Sequence, residues 1–299
     1  MKLHGIFAPL TTPFESDGSV ALAQVRNNVA LYNKTKLAGY VPNGSTSESV
    51  LLLWEEVYKV WEAVRDAAAP GKILIAGTGA ESTAETIEHT NRAARIGYAV
   101  ALVRTPSFYK PSINDHMLAE HYLRVADAAR IPVMVYSVPV FTHVTVEASL
   151  VARVAKHPNI IGLKDSSGDL KGIAAIIAAA PKEFQTLTGS ASTLYEALEL
   201  GAVGAILGLA DAFPDLCADI FEAAEAGDRV KAQALAQKLV VPSKMLLMDY
   251  GIARLKYAQD RLGYYGGLPR PPLLGVSDAC KMEIDAMLAN LISQPAHHL

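Results

Sequence analysis

The chain has no surplus of charge of either sign. Its 27 lysines and arginines face 30 aspartates and glutamates, for a net charge of -3 and a pI near 6.2. Without a basic excess there is no electrostatic reason to bind nucleic acid, and small-molecule chemistry is the default expectation. Cysteine is scarce as well. Cys217 and Cys280 lie far apart with no CxxC or finger spacing, so neither a disulfide framework nor a zinc site is expected, and a reducing cytoplasm is. No stretch offers the roughly 18 uninterrupted apolar residues of a membrane span, and the first ten residues are too poor in apolar side chains for a signal peptide.

Several chemical motifs are missing too. Gly77-Thr78-Gly79 lacks the third glycine of a dinucleotide fingerprint, and no Gly-Lys-Ser/Thr phosphate loop occurs. There is no Gly-x-Ser-x-Gly elbow, which argues against a serine hydrolase. His116 and His121 are five apart and do not stack on one helical face, and His297-His298 reads as a terminal tail.

What the chain does have is apolar content, 51% over 299 residues, arranged as short apolar runs alternating with longer stretches of helical period. That alternation is the signature of βα units and a parallel sheet. Strands are expected at 5–8, 39–42, 73–77, 99–105, 132–137, 160–164, 185–188 and 202–207. Eight is the number that closes a barrel, although a doubly wound open sheet explains much of the same alternation. Helices are expected over 51–69 and 112–129, and beyond residue 211 over 213–226, 228–247, 252–261 and 277–293. The reading is one α/β domain over 1–299: a (β/α)8 TIM barrel over 1–210, then barrel helices and a C-terminal helical extension over 211–299.

In a barrel, the carboxyl ends of the strands build the active site. Those ends carry Gly44-Ser45-Thr46-Ser47-Glu48, Tyr136, Lys164 and Gly189-Ser190. Lys164 ends the run Ile160-Ile161-Gly162-Leu163, which puts a primary amine at the mouth of an apolar environment, the setting for Schiff-base chemistry. A phenol and hydroxyls beside it supply a proton shuttle and neutral donors for a carboxylate. Each also has a purely structural reading: a lysine entering solvent, a helix cap at 44–48, a core tyrosine, a turn glycine.

The ordered set Thr11-Thr12-Pro13-Phe14, Gly44-Ser45-Thr46-Ser47-Glu48, Ala76-Gly77-Thr78-Gly79, Tyr136-Ser137-Val138-Pro139 and Gly162-Leu163-Lys164-Asp165-Ser166-Ser167-Gly168 resembles the dihydrodipicolinate synthase and N-acetylneuraminate lyase family over essentially the whole chain. The resemblance implies a (β/α)8 barrel and class I aldolase chemistry. In it a 2-oxo acid, usually pyruvate, forms a Schiff base on Lys164. It also implies catalytic roles for Tyr136 in proton transfer and for Ser45 as its relay partner, and substrate binding by Thr46, Ser166 and Gly189. A homo-oligomer, dimer or tetramer, is expected.

Three positions depart from the family pattern. Phe141 stands where dihydrodipicolinate synthases carry an arginine for the carboxylate of the second substrate, and a phenyl ring cannot clamp a carboxylate. Phe108 stands where a tyrosine completes the relay across a subunit interface, which leaves the relay shortened or completed by Tyr109 or water. Ser47 replaces a glycine and bears on the geometry of Ser45 and Thr46.

Within the family, the missing arginine and the Gly263-Tyr264-Tyr265-Gly266-Gly267 run resemble 4-hydroxy-2-oxoglutarate aldolase; an ordinary glycine-rich loop is the plainer reading of that run. The expected function is reversible cleavage of 4-hydroxy-2-oxoglutarate to pyruvate and glyoxylate. No metal or organic cofactor is expected, because the protonated imine is itself the electron sink. The alternatives are another pyruvate-dependent lyase, dehydratase or synthase of the family, whether a lyase of sugar-derived 2-oxo acids or 4-hydroxy-tetrahydrodipicolinate synthase, and a non-catalytic 2-oxo-acid-binding barrel.

Overall fold

The computed structural model describes residues 1–248 and 251–293; the His297-His298 pair lies outside them. In chain order the elements begin with β1 (Gly5–Ala8), α1 (Leu22–Tyr32), β2 (Gly39–Tyr40), α2 (Trp54–Ala67), β3 (Ile73–Gly77), α3 (Thr83–Ile96) and β4 (Val100–Arg104). They continue with α4 (Asp115–Ala128), β5 (Val133–Ser137), α5 (Pro139–Thr142), α6 (Ala148–Val154), β6 (Ile160–Asp165), α7 (Leu170–Ala179), β7 (Gln185–Thr188), α8 (Leu194–Glu199) and β8 (Gly204–Ile206). The last helices are α9 (Pro214–Glu225), α10 (Arg229–Ser243), α11 (Ile252–Arg261) and α12 (Asp278–Ser293).

The eight strands are parallel and form a closed ring in sequence order. β8 returns to β1 with Gly5 opposite Gly204 and Phe7 opposite Ile206, which rules out the open doubly wound sheet. The chain is therefore a (β/α)8 barrel followed by C-terminal helices. Phe7, Val41, Ile75, Leu102, Met134, Leu187 and Ile206 fill the interior. The opposite faces of the strands pack on the helices, and one such cluster reaches from Ile6 to Leu288.

Local chemistry sets the element boundaries. Ser82, Asn114, Asp169 and Asp228 cap α3, α4, α7 and α10 by accepting from backbone N–H groups in the first turn. β2 is shorter than its apolar run, because Pro42 has no N–H to extend the ladder. The helix expected over 228–247 stops at Ser243 and passes into a π turn, Lys244–Met248, just after the buried Pro242.

Candidate active site

Lys164 is the penultimate residue of β6 and is buried. It is in register with Tyr136 of β5 and Leu187 of β7, both in the interior cluster, so all three project into the barrel near its carboxyl end. Its Nζ lies 4.3 Å from the centroid of the Tyr136 ring. Among the described residues the amine has no hydrogen-bond or ion-pair partner. With no acceptor tying it down, the amine is free to swing onto a carbonyl carbon bound beside it.

Lys256 on α11 makes the contrast. It is more deeply buried, and its Nζ donates to Thr12 O at 2.9 Å, Glu48 Oε1 at 2.9 Å and Leu268 O at 2.8 Å. Three donors meet three acceptors, so this second interior lysine has nothing left for chemistry.

The loop after β2 supplies the hydroxyls. Ser45–Ser47 is one 3₁₀ turn, and the Ser45 Oγ is 3.2 Å from the Tyr136 hydroxyl. Ser47 strengthens this turn: its Oγ donates to Leu10 O at 2.5 Å and accepts from Gly44 N at 3.2 Å. Its carbonyl accepts from Thr12 Oγ1 at 2.7 Å, so the serine pins the turn to the segment after β1. Thr46 is half-buried beside Gly208, past the end of β8, where an added Cβ would sit 3.7 Å from Thr46 Oγ1.

Ser166 and Gly189 meet at the ends of β6 and β7. A Cβ on Gly189 would fall 2.0 Å from Ser166 Oγ and 2.9 Å from Lys164 Cε, so only glycine fits without moving the lysine or the serine. The sequence-predicted residues Lys164, Tyr136, Ser45, Ser166 and Gly189 thus converge, with Thr46 on the next residue of the same turn. Gly77 and Gly79 have a packing role: added Cβ atoms would lie 2.0 Å from Asn43 O and 2.6 Å from Arg104 N.

Other singled-out residues lie apart. Phe108 and Tyr109, 75% and 73% exposed, touch edge to face at 5.2 Å. Among the described residues Ser45 is the only side chain hydrogen-bonded to the Tyr136 hydroxyl, so neither aromatic completes the relay within one chain. Phe141 on α5 is also exposed. His116 is exposed, whereas His121 is buried with its Nδ1 2.9 Å from Thr83 Oγ1. Tyr264 stacks on Tyr32 at 4.5 Å and Tyr265 N donates to Asn28 Oδ1, so the Gly263–Gly267 run packs against α1.

Sequence reasoning missed one buried group and the partner of another. Asp211, just past β8, is fully buried and neither carboxyl oxygen has a partner among the described residues. Burial pushes its carboxyl well above the usual carboxylate range, with the charge of Lys164 opposing. The other is Glu48, paired with Lys256 at zero exposure on both sides. Neither leaves a local pattern: an aspartate after a strand reads as a loop residue, and the ion pair spans 208 positions. No group of three or more His, Cys, Asp or Glu among the described residues is placed to hold a metal. No helix among them is long and apolar enough to cross a membrane. A surface groove of about 430 Å³ between α10 and α12 is lined by Val241, Met245 and Met287 and does not include Lys164.

A closed parallel barrel with an interior lysine at the carboxyl end of its sixth strand is compatible with one class, a carbon–carbon lyase or synthase working through a lysine Schiff base. The sequence matches the dihydrodipicolinate synthetase family over residues 2–291, and the chain belongs to that family. It is 34% identical over 289 residues to the 4-hydroxy-tetrahydrodipicolinate synthase of Methanothrix thermoacetophila, covering 96% of this chain and 97% of the relative. It is 34% identical over 286 residues to the Rhizobium meliloti enzyme of the same name, covering 95% and 97%. Among solved structures, the dihydrodipicolinate synthase of Acinetobacter baumannii complexed with pyruvate superposes with a TM-score of 0.92 at 28% identity, covering 97% and 99% of the two chains. The expected family is thus shown. The finer similarity to 4-hydroxy-2-oxoglutarate aldolase is not reflected in the names of these relatives.

Proposed function

We propose that this enzyme makes or breaks a carbon–carbon bond to pyruvate held as an imine on Lys164. The observation that carries the reading is the unpartnered Lys164 amine in register with Tyr136, whose hydroxyl meets Ser45. The neutral amine adds to the C2 carbonyl, and the carbinolamine loses water as Tyr136 passes the protons. The iminium nitrogen then takes up the electron pair as a C3 proton leaves, giving an enamine. In condensation the enamine carbon attacks an aldehyde, whose oxygen is protonated; in cleavage the steps reverse. Hydrolysis frees the lysine. Thr46 donates to the substrate carboxylate, Ser166 and Gly189 line the substrate pocket, and a dimer or tetramer is the proposed assembly.

The acceptor has two candidates. The names of the relatives support condensation with aspartate 4-semialdehyde, the 4-hydroxy-tetrahydrodipicolinate synthase reaction. Phe141 favours a second reading, reversible cleavage of 4-hydroxy-2-oxoglutarate. In aspartate semialdehyde the carboxylate lies three bonds from the reacting carbon and needs a distant cation, which a phenyl ring does not provide. In glyoxylate the carboxylate adjoins the reacting carbon and falls among the hydroxyls near Lys164. The test is borohydride reduction with pyruvate and peptide mapping, then rates with each aldehyde. A reduced adduct on Lys164 supports the imine, and the faster aldehyde names the reaction. No adduct at saturating pyruvate sinks the Schiff-base reading.

A further inference from the structure

We infer that the buried Glu48–Lys256 pair is a positioning device for the Ser45–Tyr136 relay; this rests on the Schiff-base reading. Glu48 closes the turn that carries Ser45, and its backbone N–H donates to Ser45 O at 3.1 Å. The residue sits at φ 59° and ψ 35°, a left-handed conformation that side-chain-bearing residues seldom adopt. The surroundings hold it there. Its carboxylate spends both oxygens, Oε1 on Lys256 Nζ at 2.9 Å and Oε2 on Arg270 N at 2.7 Å.

The same atoms tie four chain segments into one network. Lys256 reaches Thr12 O and Leu268 O, Thr12 Oγ1 reaches Ser47 O, and Ser47 Oγ reaches Leu10 O. Arg270 is anchored in turn by a two-pronged contact to Glu56 at 2.6 and 2.7 Å. The turn with the relay serine is therefore gripped from the segment after β1 on one side and from α11 and the 268–270 segment on the other.

Stability alone is a poor explanation of this pair. A fully buried ion pair is commonly no more stabilising than apolar residues of the same volume, because both charges must leave water. What it imposes is geometry, and geometry is what the relay needs. The Ser45–Tyr136 contact of 3.2 Å already lies beyond the usual range of hydroxyl hydrogen bonds, so a small shift of the turn breaks it. Lys256 touches none of the reacting groups; it acts through Glu48 and the turn.

The test is a cycle between Lys256→Met and Tyr136→Phe. Lys256→Met is expected to lower kcat about 10- to 100-fold with little change in the KM for pyruvate. With the relay already removed by Tyr136→Phe, the same substitution is expected to cost less than about twofold. The proposal is overturned by a wild-type kcat in Lys256→Met, or by an equal loss in both backgrounds, which is the mark of a general structural role. If Lys256→Met does not fold, Glu48→Gln, which keeps shape but removes the charge, is put through the same cycle, and a wild-type kcat or an equal loss again overturns the proposal. Borohydride trapping on the unsubstituted enzyme separates the two failures. A Lys164 adduct with an additive cycle rejects the positioning role alone, and no adduct rejects the Schiff-base reading beneath it.

Discussion

Ser45 and Tyr136 are 91 residues apart in the chain, and their hydroxyl oxygens are 3.2 Å apart in the barrel. If Tyr136 moves the protons and Ser45 orients it, their removal differs in degree. Tyr136→Phe is expected to lower kcat about 10²- to 10³-fold while borohydride still traps pyruvate on Lys164, and Ser45→Ala to cost less. Steady-state rates and adduct mapping check this; full turnover in Tyr136→Phe would exclude the phenol as the shuttle.

Gly189 leaves room for the lysine. Gly189→Ala places a methyl group 2.0 Å from Ser166 Oγ and 2.9 Å from Lys164 Cε, so the lysine is displaced. The alanine variant is expected to fold and to form the pyruvate imine at least about 10-fold more slowly. Adding Ser166→Gly, which removes the nearest clash, restores part of the rate. Trapping kinetics of the single and double variants decide it, and an unimpaired single variant contradicts the steric argument.

Asp211 burdens the fold at neutral pH. Its folded-state carboxyl holds its proton well above the usual range because of burial, so stability is lost as pH rises above about 3.8. Asp211→Asn removes that loss. The variant is expected to be more stable at pH 7 to 8, an advantage that vanishes near pH 3.8. Melting temperatures of both proteins across pH measure it, and a destabilised asparagine variant at pH 8 refutes it.

His121 works in the opposite direction. Burial lowers its pKa from 6.5 to about 4, with Glu81 opposing and Arg104 assisting. Above pH 6.5 folded and unfolded chains both carry it neutral. As pH falls from 6.5 towards 4 only the unfolded chain takes up the proton, so up to about 3 kcal/mol of stability is lost over that window. His121→Asn is expected to flatten this part of the stability profile. Urea unfolding at pH 7 and pH 4.5 tests it, and equal slopes for both proteins contradict it.

The barrel was legible because strands such as β3, β4 and β5 bury apolar runs and helices such as α2 and α4 mix apolar and charged positions, although β7, Gln185–Thr188, carries only one apolar residue. The site was legible where polarity interrupts that pattern at a strand end, as with Lys164 after Ile160-Ile161-Gly162-Leu163. Pairings across the chain were not. Lys256 reads as one charge on an amphipathic helix, and only folding brings it to Glu48. Ser47 reads only as a replacement of the family's glycine that bears on the turn's geometry, and the tie from its hydroxyl to Leu10 is made by the fold. The aldehyde partner stayed open because exposed residues such as Phe141 carry no packing signature.

The ring closes only when β8 finds β1, with Gly5 beside Gly204, partners separated by two-thirds of the chain. Ser45 follows β2, the neighbour of β1 on one side of that seam, while Gly189 follows β7, the neighbour of β8 on the other, with Lys164 one strand further on. Helices and most strand pairs join near neighbours in sequence and form from local encounters, whereas the seam demands the longest loop closure in the molecule. Catalytic competence is therefore expected to return late in refolding, with helical signal first and turnover when the two ends of the sheet meet.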